Sequence, residues 1–190
     1  MVKLDKIYTR AGDGGMTRLA TGEPVEKWSL RVEAYGAVDE TNSALGVARL
    51  HATNDFVLEP LLARIQNDLF DLGADLATPE REEPLKFEAL RIQPSQVERL
   101  EREIDMLNAD LSPLTTFVLP GGAPAAAHLH VARATCRRAE RLIAELSTQE
   151  KVAPAALHYA NRLSDLLFVA ARWANDKGQG DLLWVPGKNR

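Results

Sequence analysis

Pro124-Ala-Ala-Ala-His-Leu-His-Val-Ala-Arg-Ala-Thr-Cys-Arg-Arg-Ala-Glu-Arg-Leu-Ile-Ala-Glu-Leu146 is the stretch that decides the fold. Pro124 suits the first turn of a helix, where its missing N–H would have no partner anyway. At roughly 100° per residue, Ala132, Thr135, Ala139, Leu142, Ile143 and Leu146 gather on one side as a core face. Arg133, Arg137 and Arg141 fall nearly opposite, at i, i+4 and i+8. Cations at that spacing repel one another unless anions lie between them. Two readings fit. The stripe is a solvated basic face paired with acids on neighbouring helices, or it docks a polyphosphate through guanidinium forks. Glu140 is placed to orient one of these arginines or to help hold a metal ion.

The helical period recurs on both sides. Ala34, Val38, Thr41, Leu45 and Ala48 predict a helix from about Leu30. Leu58, Leu62, Ile65, Leu69 and Leu72 predict a second over about Phe56 to Leu76. Thr78 to Pro94 reads as a loop, and Gln93-Pro94-Ser95 opens a third helix carrying Val97, Leu100, Ile104 and Leu107, stopped at Ser112-Pro113. Pro154 opens a fifth, which Gly178 ends, with Leu163, Leu166, Ala170, Trp173 and Ala174 as its core face. His158, Asn161, Asp165 and Arg172 form a polar stripe on that helix, and Asp39, Asn42 and Gly46 form one on the first. Polar back faces on amphipathic helices suit a boundary between subunits. Asp181 to Arg190 is expected to pack back as a short strand or extended segment. The expected architecture is all-α: a five-helix bundle in one domain over residues 1–190. A loop region covers 1–28, the bundle 29–178 and a tail 179–190.

Ahead of the first helix stands Thr9-Arg-Ala-Gly-Asp-Gly-Gly-Met-Thr17. Glycines let backbone N–H groups converge on an anion, and the hydroxyls and Arg10 add donors. The stretch matches neither a Walker A sequence nor a dinucleotide fingerprint. A flexible turn is the plain alternative. A second loop, Phe117-Val-Leu-Pro-Gly-Gly122, precedes the fourth helix, and Phe117 reads as core or as an apolar wall on a ligand.

Composition narrows the classes. The 190 residues carry a formal net charge of -4, so no basic field for nucleic acid exists. Cys136 is the one cysteine, which excludes an internal disulfide or a cysteine zinc site and marks a small buried residue. His128 and His130 do not share a helix face, so a zinc site is not expected. Met1 to Lys6 shows no apolar signal core, and no apolar run reaches the ~18 residues of a membrane span. A cytoplasmic location is the expectation.

Five blocks, in order, resemble one family. They are Tyr8 to Thr17, Val32-Glu-Ala-Tyr-Gly-Ala-Val-Asp-Glu40, Phe117 to Gly122, Ala132-Arg-Ala-Thr-Cys-Arg-Arg-Ala-Glu-Arg141 and Tyr159-Ala-Asn-Arg-Leu-Ser-Asp-Leu-Leu-Phe168. Together they look like the PduO-type ATP:cob(I)alamin adenosyltransferases over nearly the whole chain. The resemblance implies a five-helix bundle, a homotrimer, and an active site between subunits. By position it implies that Thr9, Arg10, Gly12, Asp13, Gly15 and Thr17 form the nucleotide loop. Lys27, twelve residues before Asp39, is implied as a nucleotide contact. Arg133, Arg137, Glu140 and Arg141 match the basic helix, and Asn161 the asparagine that contacts ATP. Asp39 matches the acid that pairs with Arg137, and Phe117 the aromatic under the corrin. Ala11 departs from the pattern, standing where many relatives carry threonine.

The implied reaction moves the 5′-deoxyadenosyl group of ATP to the cobalt of cob(I)alamin and expels triphosphate, with Mg²⁺ and Glu140 as its expected ligand. Reduced cobalt is itself a strong nucleophile, so no triad or general base is needed, and none is visible. The protein supplies position and charge stabilisation. The implied partners are a reductase that delivers electrons and an adenosylcobalamin-dependent acceptor enzyme. Two other readings compete: a different nucleotide enzyme on a bundle, such as a hydrolase, and a non-catalytic trimeric scaffold.

Overall fold

A computed structural model describes residues 7–82, 84–85 and 87–190. The expected lack of a signal core in the first six residues falls outside that range, as do Glu83 and Lys86 of the 78–94 loop. Chain order is β1 (Met16–Arg18), β2 (Pro24–Glu26), α1 (Leu30–Leu50), α2 (Leu58–Leu76), α3 (Pro94–Asn108), β3 (Val118–Leu119), α4 (Pro124–Gln149), α5 (Pro154–Ala174) and β4 (Leu182–Leu183).

The five expected helices are present. α1 lies against both α2 and α4, and α5 packs on α4 and α3. The α1 stripe Ala34, Val38, Thr41, Leu45 and Ala48 is buried, and so is the α2 stripe from Leu58 to Leu72. Their shared apolar face is the main driving force for the bundle. Pro94, Pro124 and Pro154 each occupy the first turn of their helix. At the start of α3 the Gln93 N–H donates to Gln96 Oε1 at 2.9 Å, which fixes where that helix begins. α5 ends at Ala174, and Asp176, Lys177 and Gly178 then turn the chain back with positive φ.

Some expectations need correction. On α4, Thr135 and Leu142 are only partly buried, and Cys136 takes the core position beside Thr135. The Thr135 hydroxyl donates to the Ala132 carbonyl at 2.9 Å within its own helix, and so faces away from the core. Arg172, at the end of the polar stripe of α5, is 5% exposed, because the tail and the loop after α3 cover that end of the helix. Two short antiparallel pairs also supplement the helices. β1 pairs with β2 beside the glycine loop, and β3 pairs with β4 in the register Val118↔Leu183. The tail therefore packs back as expected, and on the segment that carries Phe117. A buried polar pin also crosses the bundle: the Tyr159 hydroxyl donates to Asp68 Oδ2 at 3.0 Å, and Asp68 also pairs with Arg99 of α3.

Candidate active site

Three surfaces gather the residues singled out by the sequence. The first is the glycine loop. Its backbone turns twice, with the Asp13 N–H on the Arg10 carbonyl and the Gly15 N–H on the Gly12 carbonyl. Gly15 has φ +82, and a Cβ there would meet the Trp28 ring at 3.1 Å. The Lys27 side chain lies across Gly12, where an added Cβ would stand 3.1 Å from Nζ. The positive φ favours glycine at Gly15, and at Gly12 a side chain would crowd the Lys27 ammonium. Thr9, Ala11, Gly12, Met16, Thr17, Arg18, Pro24 and Lys27 line a cavity of about 500 Å³. Arg10 instead stacks on the Tyr8 ring, and Arg10 and Asp13 are both exposed on the rim of the loop.

The second surface is the basic face of α4. Arg133 is half-buried, while Arg137 and Arg141 are exposed. Burial, then the Arg137 charge, lowers the pKa of Arg133. Arg137 Nη1 stands 3.6 Å from Glu140 Oε2. Asn161 Nδ2 on α5 donates to Glu140 Oε1 at 3.0 Å, and Glu140 Oε2 is buried with no hydrogen bond. Arg141 makes no hydrogen bond or ion pair with a described residue. Arg133, Arg137, Ser164, Asp165, Phe168 and Val169 line a cleft of about 240 Å³ between α4 and α5. Within the chain Arg137 does not contact Asp39, which is exposed and unpaired among the described residues. It is Arg138 that crosses to α1, pairing with Glu33 and Glu40.

The third surface adjoins the second. Leu114, Thr115, Thr116, Phe117, Val118, His130, Arg133 and Phe168 line a cavity of about 560 Å³. Arg133 and Phe168 belong to both, so the apolar cavity opens onto the basic cleft. Phe117 is 76% exposed, with its ring 5.9 Å from that of Trp184. The Trp184 N–H donates to the Phe117 carbonyl at 2.8 Å, and the Thr116 hydroxyl to the Trp184 carbonyl at 3.0 Å. Phe117 is thus a wall residue, not core. None of the loop-cavity residues lines either of these spaces.

The sequence reading gave no role to His130, Phe168 or Trp184 as wall residues. His130 was set aside because His128 points elsewhere, yet it stands at i−3 from Arg133, which puts the two on one face. Its Nδ1 lies 3.4 Å from Arg133 Nε. Burial, then the Arg133 charge, holds its pKa below the ordinary value, with Asp181 opposing. Phe168 follows Asn161 by two helical turns, a spacing that marked it as part of the same face.

Cys136 is buried, its thiol on the Ala160 carbonyl, and burial pushes its pKa well up, so it is chemically quiet. Among the described residues no three His, Cys, Asp or Glu side chains cluster to hold a metal. No helix among them is long and apolar enough to cross a membrane.

Comparison with known proteins agrees on one family. The family model described as cobalamin adenosyltransferase matches residues 7–174. The corrinoid adenosyltransferase of Mycobacterium tuberculosis (strain H37Rv) is 48% identical, covering 100% of this chain and 97% of its own. That of Bacillus subtilis is 41% identical over 93% of this chain and 91% of its own. Among solved structures, a phenylalanine-to-alanine variant of the PduO-type ATP:corrinoid adenosyltransferase from Lactobacillus reuteri, complexed with cobalamin and ATP, superposes with a TM-score of 0.84. It is 41% identical, over 94% of this chain and 99% of its own. An apolar cavity opening onto a basic cleft, a bundle shared with these structures and a match over almost the whole length together make this chain a member of the cobalamin adenosyltransferase family.

Proposed function

We propose that the chain transfers the 5′-deoxyadenosyl group of ATP to the cobalt of cob(I)alamin at a site where the Phe117 cavity holds the corrin and the basic cleft holds the triphosphate. The observation that carries this reading is the shared wall of Arg133 and Phe168. It sets an apolar surface fit for a macrocycle directly against cations fit for phosphates. The Lactobacillus relative binds both ligands together.

The chemistry asks little of the protein beyond placement. The cobalt electron pair attacks C5′, a cobalt–carbon bond forms, and the C5′–oxygen bond breaks with its electrons leaving on triphosphate. Holding nucleophile and carbon in line removes most of the entropic barrier. Arg137 and Arg141 stabilise the charge growing on the leaving group, and Arg133 joins the two subsites. Asn161 holds Glu140, and Glu140 aims the Arg137 guanidinium. The Phe117 ring would cover the lower face of the corrin and exclude a lower axial ligand from cobalt, which makes reduction to cob(I)alamin easier.

Magnesium bound to a polyphosphate needs only one or two protein carboxylates. The buried, unbonded Oε2 of Glu140 is such a donor. When bound there, the ion would add positive charge at the leaving phosphates.

The glycine loop and Lys27 form a separate cavity from the basic cleft, and Asp39 is unpaired among the described residues. Both features fit a homotrimer in which the loop and Lys27 of one subunit close on the basic helix of the next, with Asp39 reaching Arg137 across the boundary. A reductase and an adenosylcobalamin-dependent enzyme are the expected partners, in the cytoplasm. Anaerobic incubation with ATP, Mg²⁺ and chemically reduced cobalamin tests the reaction. The adenosylcobalamin spectrum should develop. Its absence, or release of inorganic phosphate without cobalamin, would overturn the reading.

A further inference from the structure

Beside the segment that carries Phe117 lies a buried polar hub. Arg172 and Asp181 pair at 2.7 Å with side chains only 5% and 2% exposed. Arg172 Nη2 also donates to the Ser112 carbonyl at 2.7 Å. Asn175, 2% exposed, accepts from the Ala123 N–H at 2.8 Å. Its Nδ2 faces the Gly121 carbonyl and Asp181 Oδ1, each at 3.2 Å. The fit is tight: a Cβ on Gly122, whose φ is +95, would stand 2.2 Å from Asn175 Oδ1.

The placement of these bonds is informative. Leu114 to Val118 form one wall of the cavity, and that segment is fixed to the hub at both ends, at Ser112 and at the Gly121–Ala123 turn. Asp181 fixes the start of β4, which carries Trp184 to the Phe117 backbone. Between these anchors the wall is largely exposed. A buried ion pair is a poor source of net stability against an apolar replacement, and its better-attested use is to set one geometry. Three anchor points converge on a single aromatic side chain.

We propose that Asn175, acting with the Arg172–Asp181 pair, is a positioning residue that fixes the Phe117 ring against the cobalt-facing side of the corrin. This rests on the corrin placement proposed above. Loss of Asn175 frees one end of the wall and lets the ring swing from the cobalt, while the basic cleft and the glycine loop stay intact.

Asn175→Ala tests this, with Phe117→Ala as its reference. Two rates are measured for each variant: conversion of pre-reduced cob(I)alamin, and conversion of cob(II)alamin with a mild reductant. Asn175→Ala should keep its KM for ATP within about twofold while the ratio of the second rate to the first falls about tenfold or more. The visible spectrum of bound cob(II)alamin, which distinguishes cobalt with and without a lower ligand, should shift the same way. Should Asn175→Ala not fold, Asn175→Asp keeps the acceptor for the Ala123 N–H, loses the two donated bonds, and is read identically. Equal loss of both rates in a folded variant, or an unchanged ratio and spectrum, overturns the proposal. If Phe117→Ala lowers the ratio and the Asn175 variants do not, positioning alone is wrong. If Phe117→Ala leaves the ratio unchanged, the corrin placement is wrong and the positioning role falls with it.

Discussion

Arg137 pairs with Glu140 along its own helix, at 3.6 Å, while its neighbour Arg138 crosses to Glu33 and Glu40 of α1. Adjacent arginines on α4 thus have separate work. Arg138 joins two helices, and Arg137, 51% exposed, presents a guanidinium to the cleft. Arg141, one turn further, has no partner among the described residues.

Replacing Arg137, which lines the cleft, or Arg141, one turn further on α4, should therefore leave the fold intact and cripple turnover. Arg137→Ala and Arg141→Ala should each lose on the order of 2–4 kcal/mol of transition-state stabilisation, roughly thirtyfold to a thousandfold in kcat/KM. Thermal unfolding should stay near that of the parent. Near-normal turnover at saturating ATP in both variants would show that the stripe is merely solvated.

The separate loop cavity and basic cleft lead to a prediction about assembly. Sedimentation at micromolar concentration should give one species near three chain masses. Lys27→Ala and Arg137→Ala proteins should each be strongly impaired alone. Refolded together in equal amounts they should recover activity, because about one quarter of randomly formed boundaries join an intact loop to an intact basic helix. A fully active monomer, or no recovery in mixed trimers, would refute the shared site.

Phe117→Ala should separate reduction from transfer. The exposed ring stands against Trp184, not in the core, so its removal should hardly change stability. ATP binding should be nearly normal and conversion of cob(II)alamin poor under a mild reductant. Much of the rate should return with pre-reduced cob(I)alamin. Equal impairment with both cobalt states would make Phe117 a general substrate wall.

His130 predicts how stability depends on pH. Burial, then Arg133, holds its native pKa below the ordinary 6.5. As pH falls below that value, the unfolded chain takes up a proton that the native chain refuses. Stability is therefore fully present above about 6.5 and is lost as pH falls towards the lower native pKa. Denaturant unfolding followed from pH ~8 to ~5 should show this loss in the parent and a shallower slope in His130→Gln. Equal slopes would assign the effect to another group.

The helices were legible because their signals are local. Val38, Thr41, Leu45 and Ala48 recur at the helical period, and prolines mark the starts of α3, α4 and α5. The tail was legible as an extended segment but its partner was not, since Val118 meets Leu183 across the whole of α4 and α5, and no nearby pattern records that pairing. Arg172 has nearly the same angular position as Asn161 and Asp165, so period alone places it on their polar stripe without telling that it is buried. Its burial depends on Asp181 and Ser112, which reach it only after folding. The basic stripe of the site was readable, while its apolar half was hidden in residues such as Phe168 and His130 that pass for ordinary helix filling.

The contact between Trp184 and Phe117 makes the chain its own optical probe. Of the three tryptophans, Trp173 is held by Asp55 and Lys177 at the far side of α5, and Trp28 lies on Gly15 of the glycine loop. Only Trp184 adjoins the proposed corrin wall. A corrin absorbs in the near ultraviolet where indole emits, so its arrival beside Phe117 should extinguish Trp184 fluorescence by energy transfer. Arrival of the corrin can then be followed in the unlabelled protein, with Trp184→Phe marking the share that Trp184 contributes.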